Sequence, residues 1–351
     1  MKFVAEYIWS GVNGEMRGKS RTVNINDEKT KNMERNSLLD PGLYEDWSYD
    51  GSSTEQTEGF DSEIIIKPVA VFRDPFRKGA NVMVLCDSYR PNGTPTKSNH
   101  RLWASEIFEK IKDKKPWYGL EQEFFLMMPN KDDITKKSYT PLGWSKTVNS
   151  QGQYYCSVGH NNACGRSISE HAYHLALEAG VNCSGMNAEV APGQWEIQVG
   201  PCEGIDAGDH MMILRYILQR AGEVHGAQIN LDPKPVKGDW NGSGCHINFS
   251  TLEMRESEQG KELILEAVKK LENNHMEHMK CYGSGNKERM TGKHETASYD
   301  KFNYGVANRG ASVRIPRLVE INGKGYFEDR RPSSNVDPYL ATAKLAETCC
   351  L

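Results

Sequence analysis

The chain opens on a crowded run of β-branched, aromatic and small apolar residues, Phe3-Val4-Ala5-Glu6-Tyr7-Ile8-Trp9, which predicts a strand. Residues 11–14 then read as a turn into a second strand. Two further strands are expected over 64–71 and 82–86. The segment between the two strand pairs is dense in turn residues: Pro41, Gly42, Gly51, Ser52, Ser53 and Gly59. Pro91-Asn92-Gly93-Thr94-Pro95 reads as a linker, so the pattern divides the chain into a strand-rich 1–92 and a mixed 93–351. Beyond the linker, Leu102, Ile107, Phe108 and Ile111 recur near helical spacing over 99–112. Residues 117–127 are strand-like. Helices are expected over 167–179, stopped by Gly180, over 206–228, and over a long amphipathic 261–279. Loops rich in Gly and Asn at 149–165, 238–244 and 283–292 are long enough to suggest functional surfaces.

Composition narrows the function classes. The 351 residues suggest about two domains. With 43 Lys+Arg against 47 Asp+Glu, the net charge of −4 argues against nucleic acid as the main ligand. No apolar run is long enough for a signal peptide or a membrane span. Nine cysteines, an odd number that includes the adjacent Cys349 and Cys350, do not form a disulfide framework. A reducing, cytoplasmic setting is expected. Gly18-Lys19-Ser20 resembles the end of a phosphate loop, but Asn13 stands where its first glycine is required. His171 with His174, and His275 with His278, sit at metal-compatible helix spacing. They lack a third ligand and read as solvated helix histidines.

Four segments put charge among apolar, strand-forming residues. In Gly119-Leu120-Glu121-Gln122-Glu123-Phe124-Phe125, alternation sends both carboxylates to one face, as metal ligands or as a solvated edge. In the segment 187–197, Pro192-Gly193 predicts a hairpin with Glu189 and Glu196 on its two strands, as one site or as two exposed acids. In Asn241-Gly242-Ser243-Gly244-Cys245-His246-Ile247-Asn248-Phe249-Ser250, a flexible loop precedes a histidine that faces away from Cys245, Ile247 and Phe249. Over 289–331, Arg289, Arg309, Arg314, Arg317, Arg330 and Arg331 accompany Glu328, in a context of small and β-branched residues. Such arginines suit phosphate or carboxylate. Glu121, Glu123, Glu189, Glu196, His246 and Glu328 together form a carboxylate-dominated ligand set, which favours Mg²⁺ or Mn²⁺ over structural zinc. Cations beside arginines point to metal-dependent phosphoryl transfer, with no substrate specified.

These segments, with Tyr49-Asp50-Gly51-Ser52-Ser53-Thr54, Phe72-Arg73-Asp74-Pro75-Phe76-Arg77, Asp232-Pro233-Lys234-Pro235, His294-Glu295-Thr296 and Tyr326-Phe327-Glu328-Asp329-Arg330-Arg331-Pro332, resemble eukaryotic-type (class II) glutamine synthetase in order along nearly the whole chain. The resemblance implies an α+β fold: an N-terminal β-grasp domain (1–92) and a catalytic domain (93–351) with a curved antiparallel sheet flanked by helices. It implies ligation of ammonia to glutamate through γ-glutamyl phosphate, with ATP as substrate and two or three Mg²⁺ or Mn²⁺ per site. By the same pattern Glu123, Glu189 and Glu196 hold one cation, and Glu121, His246 and Glu328 hold another, nearer the phosphates. Arg309 and Arg314 match phosphate-binding arginines. Arg289 and Arg330 match those that grip glutamate or the transferred phosphoryl group. Asn241, Gly242 and His246 fall on the glutamate side, and Trp117, Ser250 and Tyr326 near adenine and ribose. Glu295 matches a flap glutamate. Asp50, with Tyr155 and Glu189, matches the ammonium pocket, and Asp50 is implied to act on a neighbouring subunit within two stacked five-membered rings. Ser243 stands where Ala is usual and Gln153 where Pro is frequent, and the chain starts almost directly at the first strand. Alternatives are a ligase joining glutamate to a larger amine, a ring-forming scaffold, and a non-catalytic relative.

Overall fold

The computed structural model describes residues 1–24, 35–130, 138–144 and 151–351. Residues 149–150 of the predicted loop at 149–165 lie outside them. The first sheet comprises β1 (Lys2–Ser10), β2 (Met16–Asn24), β3 (Trp47–Asp50), β4 (Glu63–Arg73) and β5 (Val82–Tyr89), in the order β2-β1-β5-β4-β3. β1 and β5 are parallel and the other pairs antiparallel. Alternation along β1 serves two cores. Phe3, Ala5, Tyr7 and Trp9 bury one face under Leu38 and Tyr44. Ile8 on the other face joins Phe72, Met83 and Leu85 in the apolar cluster that fills the rest of the molecule.

The second sheet comprises β6 (Trp117–Pro129), β7 (Tyr139–Pro141), β8 (Cys183–Ala188), β9 (Gln194–Glu203), β10 (Gln228–Asn230), β11 (Cys245–Ser250), β12 (Tyr304–Val306), β13 (Val313–Ile315) and β14 (Phe327–Asp329). Its order is β12-β13-β14-β11-β6-β9-β8, with β7 and β10 also on β6. All its pairs are antiparallel except β12 with β13. One face packs on the helices Asp206–His225 and Pro338–Cys350, giving a mixed α+β architecture. The other face is polar and carries the site.

Two predicted helices end differently. The helix expected over 206–228 stops at His225. Gly226 takes φ 67°, and its N–H bonds back to Glu223 and Gly222 carbonyls, closing the last turn and freeing Gln228 for a strand. The helix expected over 261–279 is two, Gly260–Asn273 and His275–Cys281, broken at Asn274 with φ −110° and ψ 17°. The histidines read as solvated at 275 and 278 are buried. His275 bonds to the Tyr299 carbonyl and Arg331, and His278 to Tyr282 and Thr348. Apart from Tyr282, four residues on, their partners are distant in sequence, so no local pattern announces their burial.

Among the helices His100–Lys110, Asp206–His225 and Pro338–Cys350, Arg101 binds Asp209 through two bonds of 2.8 and 2.9 Å, and Tyr339 donates to the same carboxylate at 2.7 Å. Asp87, beside them on β5, has its pKa pushed up to about 6, mainly by burial and further by Asp209, against the pull of Arg101. Between about pH 4 and 6 the folded chain therefore keeps a proton that the unfolded chain releases. Stability falls as pH rises through that window, by up to about 3 kcal/mol. Asp87→Asn is expected to stabilise the fold by about 1–2 kcal/mol at pH 8 and much less at pH 4.5. Urea denaturation at both pH values checks this, and an equal gain at both would contradict it.

Candidate active site

The site grows from alternation on four adjacent strands. On β6, Glu121 and Glu123 face the polar side, while Gln122 between them is buried and bound by Arg215 and Ser334. Register sets Glu121 opposite His246 of β11 and Gln198 of β9, and Glu123 opposite Glu196. On β14, Glu328 pairs with Asn248 and with Arg314 of β13. Glu189 lies just past β8, its N–H bonded to the Gln194 carbonyl, so the hairpin forms with Glu189 in its connection rather than on a strand.

The same alternation separates the arginines. Glu328 and Arg330 face the site, 2.5 Å apart. Asp329 and Arg331 face the core as a fully buried pair at 2.6 Å. Arg331 is therefore a structural residue, and Arg317 lies on the exposed start of a short helix. The two arginines drop out of the phosphate-binding candidates.

Glu121, Glu196 and His246 each place a ligand atom within 4.8 Å of the others, and so do Glu123, Glu189 and Glu196. Glu196 belongs to both groups. The His246 Nδ1 lies 3.3 Å from Glu121 and 3.6 Å from Glu328, and its Nε2 lies 3.8 Å from Glu123. Burial, reinforced by Arg330, holds the His246 pKa well below the ordinary value, so the ring is neutral and able to ligate. Burial raises the Glu123 carboxyl to about 7. Burial and Glu123 raise Glu189 to about 8, and burial with Glu121 pushes Glu196 well up. Like charges directly across a ladder destabilise a sheet unless something neutralises them. A donor set of buried carboxylates and one neutral imidazole, held at its density by paired strands, fits divalent cations.

Four of the five acids also have an amide beside them, while Glu328 is held by Arg314 and Arg330. Asn248 donates to Glu121 at 2.7 Å, Asn187 to Glu189 at 3.0 Å, Gln198 to Glu196 at 2.6 Å and Gln194 to Glu123 at 3.3 Å. These orienting residues received no role from sequence. The signal was available, because each lies two residues from a site group along its segment: Asn187 before Glu189, Gln194 and Gln198 around Glu196, Asn248 after His246.

Glu121, Glu123, Glu189 and Glu196 floor a cavity of about 270 Å³, also lined by Tyr155, Asn241, Gly242, Arg289, Glu295, Arg309, Arg314 and Arg330, with Glu328 just behind it. Arg309 pairs with Glu295 at 2.7 Å and lies over the Tyr155 ring. Arg289 is buried, its guanidinium fixed by the carbonyls of Arg330 and Arg331, and burial lowers its pKa to about 10. A Cβ on Gly244 would lie 2.8 Å from both Arg289 and His246, so the loop passes this close only as glycine. Trp117 and Ser250 pair across β6 and β11 outside the cavity, where Arg255 covers the indole at 4.0 Å and donates to the Ser250 hydroxyl. Tyr326 is half-exposed and also outside the lining, within electrostatic reach of Glu121, Glu328 and Arg314. Asp50 is absent from it as well. It is exposed at the end of edge strand β3 and accepts bonds from Ser52.

A family profile described as "Glutamine synthetase, catalytic domain" matches residues 101–279. The "Glutamine synthetase, chloroplastic" of Brassica napus is 51% identical over 355 aligned positions, which cover 100% of this chain and 78% of the relative. The chain belongs to the glutamine synthetase family. The "Glutamine synthetase root isozyme 5" of Zea mays and the "Glutamine synthetase cytosolic isozyme" of Medicago sativa, each 49% identical, are matched over 100% of this chain and 94% of their own length. The curved sheet carrying the acids is thus the catalytic scaffold of a glutamine synthetase family member. No helix among the described residues is long and apolar enough to cross a membrane.

Proposed function

We propose that the cavity ligates ammonia to the γ-carboxylate of glutamate at the expense of ATP, through γ-glutamyl phosphate, giving glutamine, ADP and phosphate. The observation that carries the reading is the segregation within one cavity, a floor of buried acids facing Arg309, Arg314 and Arg330. A carboxylate resists attack by an amine, and phosphorylation converts it into an electrophile. Glu123, Glu189 and Glu196 would hold one Mg²⁺ or Mn²⁺, and Glu121 and His246, with Glu196 in reach of them and Glu328 beside His246, would hold another; when bound, these cations neutralise phosphate charge and draw the substrates together. Arg314 fits a phosphate oxygen, since its buried Nε has no hydrogen-bond partner among the described residues while Nη1 is anchored 3.0 Å from Glu328. Arg309 and Arg330 are the second and third cationic groups at that position. Arg289, Asn241 and Gly242 would hold glutamate, Trp117, Ser250 and Tyr326 the adenosine moiety, and Glu295 the mouth of the cavity.

Asp50 bears on ammonium. Hydrogen bonds from Ser52, then Ser62, hold its carboxyl below the usual range, so it is ionised at neutral pH and suited to a cation. Its distance from the cavity lining is explained if residues 1–92, taken as a domain, complete the site of the next chain, with Tyr155 and Glu189 on the receiving side of 93–351. Two stacked rings of five chains would have a native mass of about 395 kDa at 39.5 kDa per chain. The setting is cytoplasmic in this reading.

The test is ADP release by the purified chain with glutamate, ATP and Mg²⁺ or Mn²⁺. Release is expected to require ammonium, with glutamine formed and small amines poor replacements. A clear preference for an amine would replace the ligase assignment with a glutamate–amine ligase. Turnover indifferent to ammonium would remove it.

A further inference from the structure

At 291–298 the chain forms a tight loop, bridged between Thr291 and Ser298, with the Thr296 N–H donating to the Lys293 carbonyl at 3.1 Å. Its tip residues, His294 and Glu295, both adopt left-handed backbone, at φ 53° and 60°. Neither is glycine, and two such residues in succession persist only where their surroundings over-determine them. The surroundings here are a chain of hydrogen bonds centred on the imidazole of His294. Its Nδ1 accepts from the Gln151 side-chain amide, and its Nε2–H donates to Asp239 at 2.7 Å. Gln151 in turn accepts the Asn241 N–H at 2.8 Å through its carbonyl. These partners match the tautomer in which Nδ1 accepts and Nε2 donates. His294 thereby joins three segments that no strand ladder among the described residues connects: the 291–298 loop, the segment at Gln151 and the segment 239–241. The next residue, Glu295, reaches Arg309 at 2.7 Å, and its carbonyl accepts from Arg330 at 3.3 Å.

We propose that His294 is a positioning residue that clips the 291–298 loop across the cavity mouth, so that Glu295 stands against Arg309 and water is kept from the activated substrate. The proposal rests on the ligase reading above. An acyl phosphate reached by water is lost: water attacks the acyl carbon in place of ammonia, the carbon–oxygen bond to phosphate breaks, and glutamate and inorganic phosphate leave. A loosened clip therefore shows as ADP formed without glutamine rather than as a uniform loss of rate.

The experiment measures ADP and glutamine together, with ammonium at a fixed level and ATP varied. The unsubstituted enzyme is expected to release one ADP per glutamine. His294→Ala is expected to raise the ratio by about threefold or more while the KM for ATP moves less than about twofold. Asp239→Ala, whose carboxylate is 90% exposed and removable without disturbing a core, is expected to raise the ratio in the same direction. Asp239→Asn keeps an acceptor for the Nε2–H and is expected to restore most of the coupling. His294→Ala combined with Gln151→Ala is expected to be no worse than His294→Ala alone, since both cut one network. A ratio that stays at one in both His294→Ala and Asp239→Ala would overturn the clip and leave the ligase reading standing. Absence of ammonium-dependent glutamine from the unsubstituted enzyme would overturn the ligase reading, and the clip with it.

Discussion

Glu196→Ala is expected to abolish turnover more completely than any other single substitution on the sheet. Glu196 is the one side chain shared by both ligand groups, it stands directly across the ladder from Glu123, and it is oriented by Gln198 at 2.6 Å. Removing it withdraws a ligand from each candidate cation position. If each cation contributes several kcal/mol to the phosphoryl-transfer barrier, kcat/KM falls on the order of 10³-fold or more. A second readout separates cation binding from chemistry. Excess Mg²⁺ or Mn²⁺ at about 100 times its dissociation constant is expected to stabilise the unsubstituted protein by about 2.7 kcal/mol, and the variant far less. Glu196→Gln sharpens the argument from the opposite side. The Glu196 pKa is raised by burial, then by Glu121, Glu189 and Glu123, so its charge opposes folding once pH exceeds the ordinary carboxylate range. Without divalent cation at pH 8, the glutamine variant is expected to be more stable than the parent by about 1–2 kcal/mol, although inactive. A parent more stable than this variant without cation would show that the acids are neutralised by something other than a cation.

Asp50→Ala is expected to lower glutamine formation by about 10²-fold or more while leaving ATP binding within about twofold. The carboxylate is exposed on β3 and held by Ser52, and it does not line the cavity of its own chain. Its effect should therefore be transferable between chains. When Asp50→Ala and Glu196→Ala chains are co-expressed, a mixed interface can pair an intact Asp50 from one with an intact acid floor from the other. Random assembly makes about one interface in four fully intact, so activity should return to roughly a quarter of the parent level from two nearly inactive chains. Co-assembled hybrids that remain inactive would exclude a shared site and place the role of Asp50 within its own chain or outside catalysis.

Much of this site was legible in the sequence because a strand has a period of two. Glu121 with Glu123, and Glu328 with Arg330, could be assigned a common face from spacing alone. Gly180 ends its helix as expected from glycine's local chemistry, whereas Gly226 ends one that the pattern alone carried on to 228. Other features failed where the deciding partner is far away. His275 and His278 looked like surface histidines until Arg331, Tyr299 and Thr348 were placed around them. Arg331 looked like its neighbour Arg330 until its pairing with Asp329 in the core was seen. The long helix over 261–279 was broken at Asn274 by a geometry that no proline or glycine marks.

By itself, then, the sequence determined the local terms: which segments are strands, which residues alternate to one face, and that a carboxylate-rich set accompanies a set of arginines in order along the chain. The tertiary structure alone decided the register that puts Glu123 across from Glu196 and Glu121 across from His246, the division of the arginines between cavity and core, and the clip that joins His294 to Gln151 and Asp239. The physical reason is range. Backbone geometry and side-chain period act over a few residues and can be read in series. The pKa of a carboxylate, the ligand set of a cation and the closure of a loop depend on groups such as Glu123 with Glu196, Glu121 with His246, and His294 with Asp239 and Gln151, which lie far apart in sequence and are brought together when the sheet pairs and its apolar face is buried.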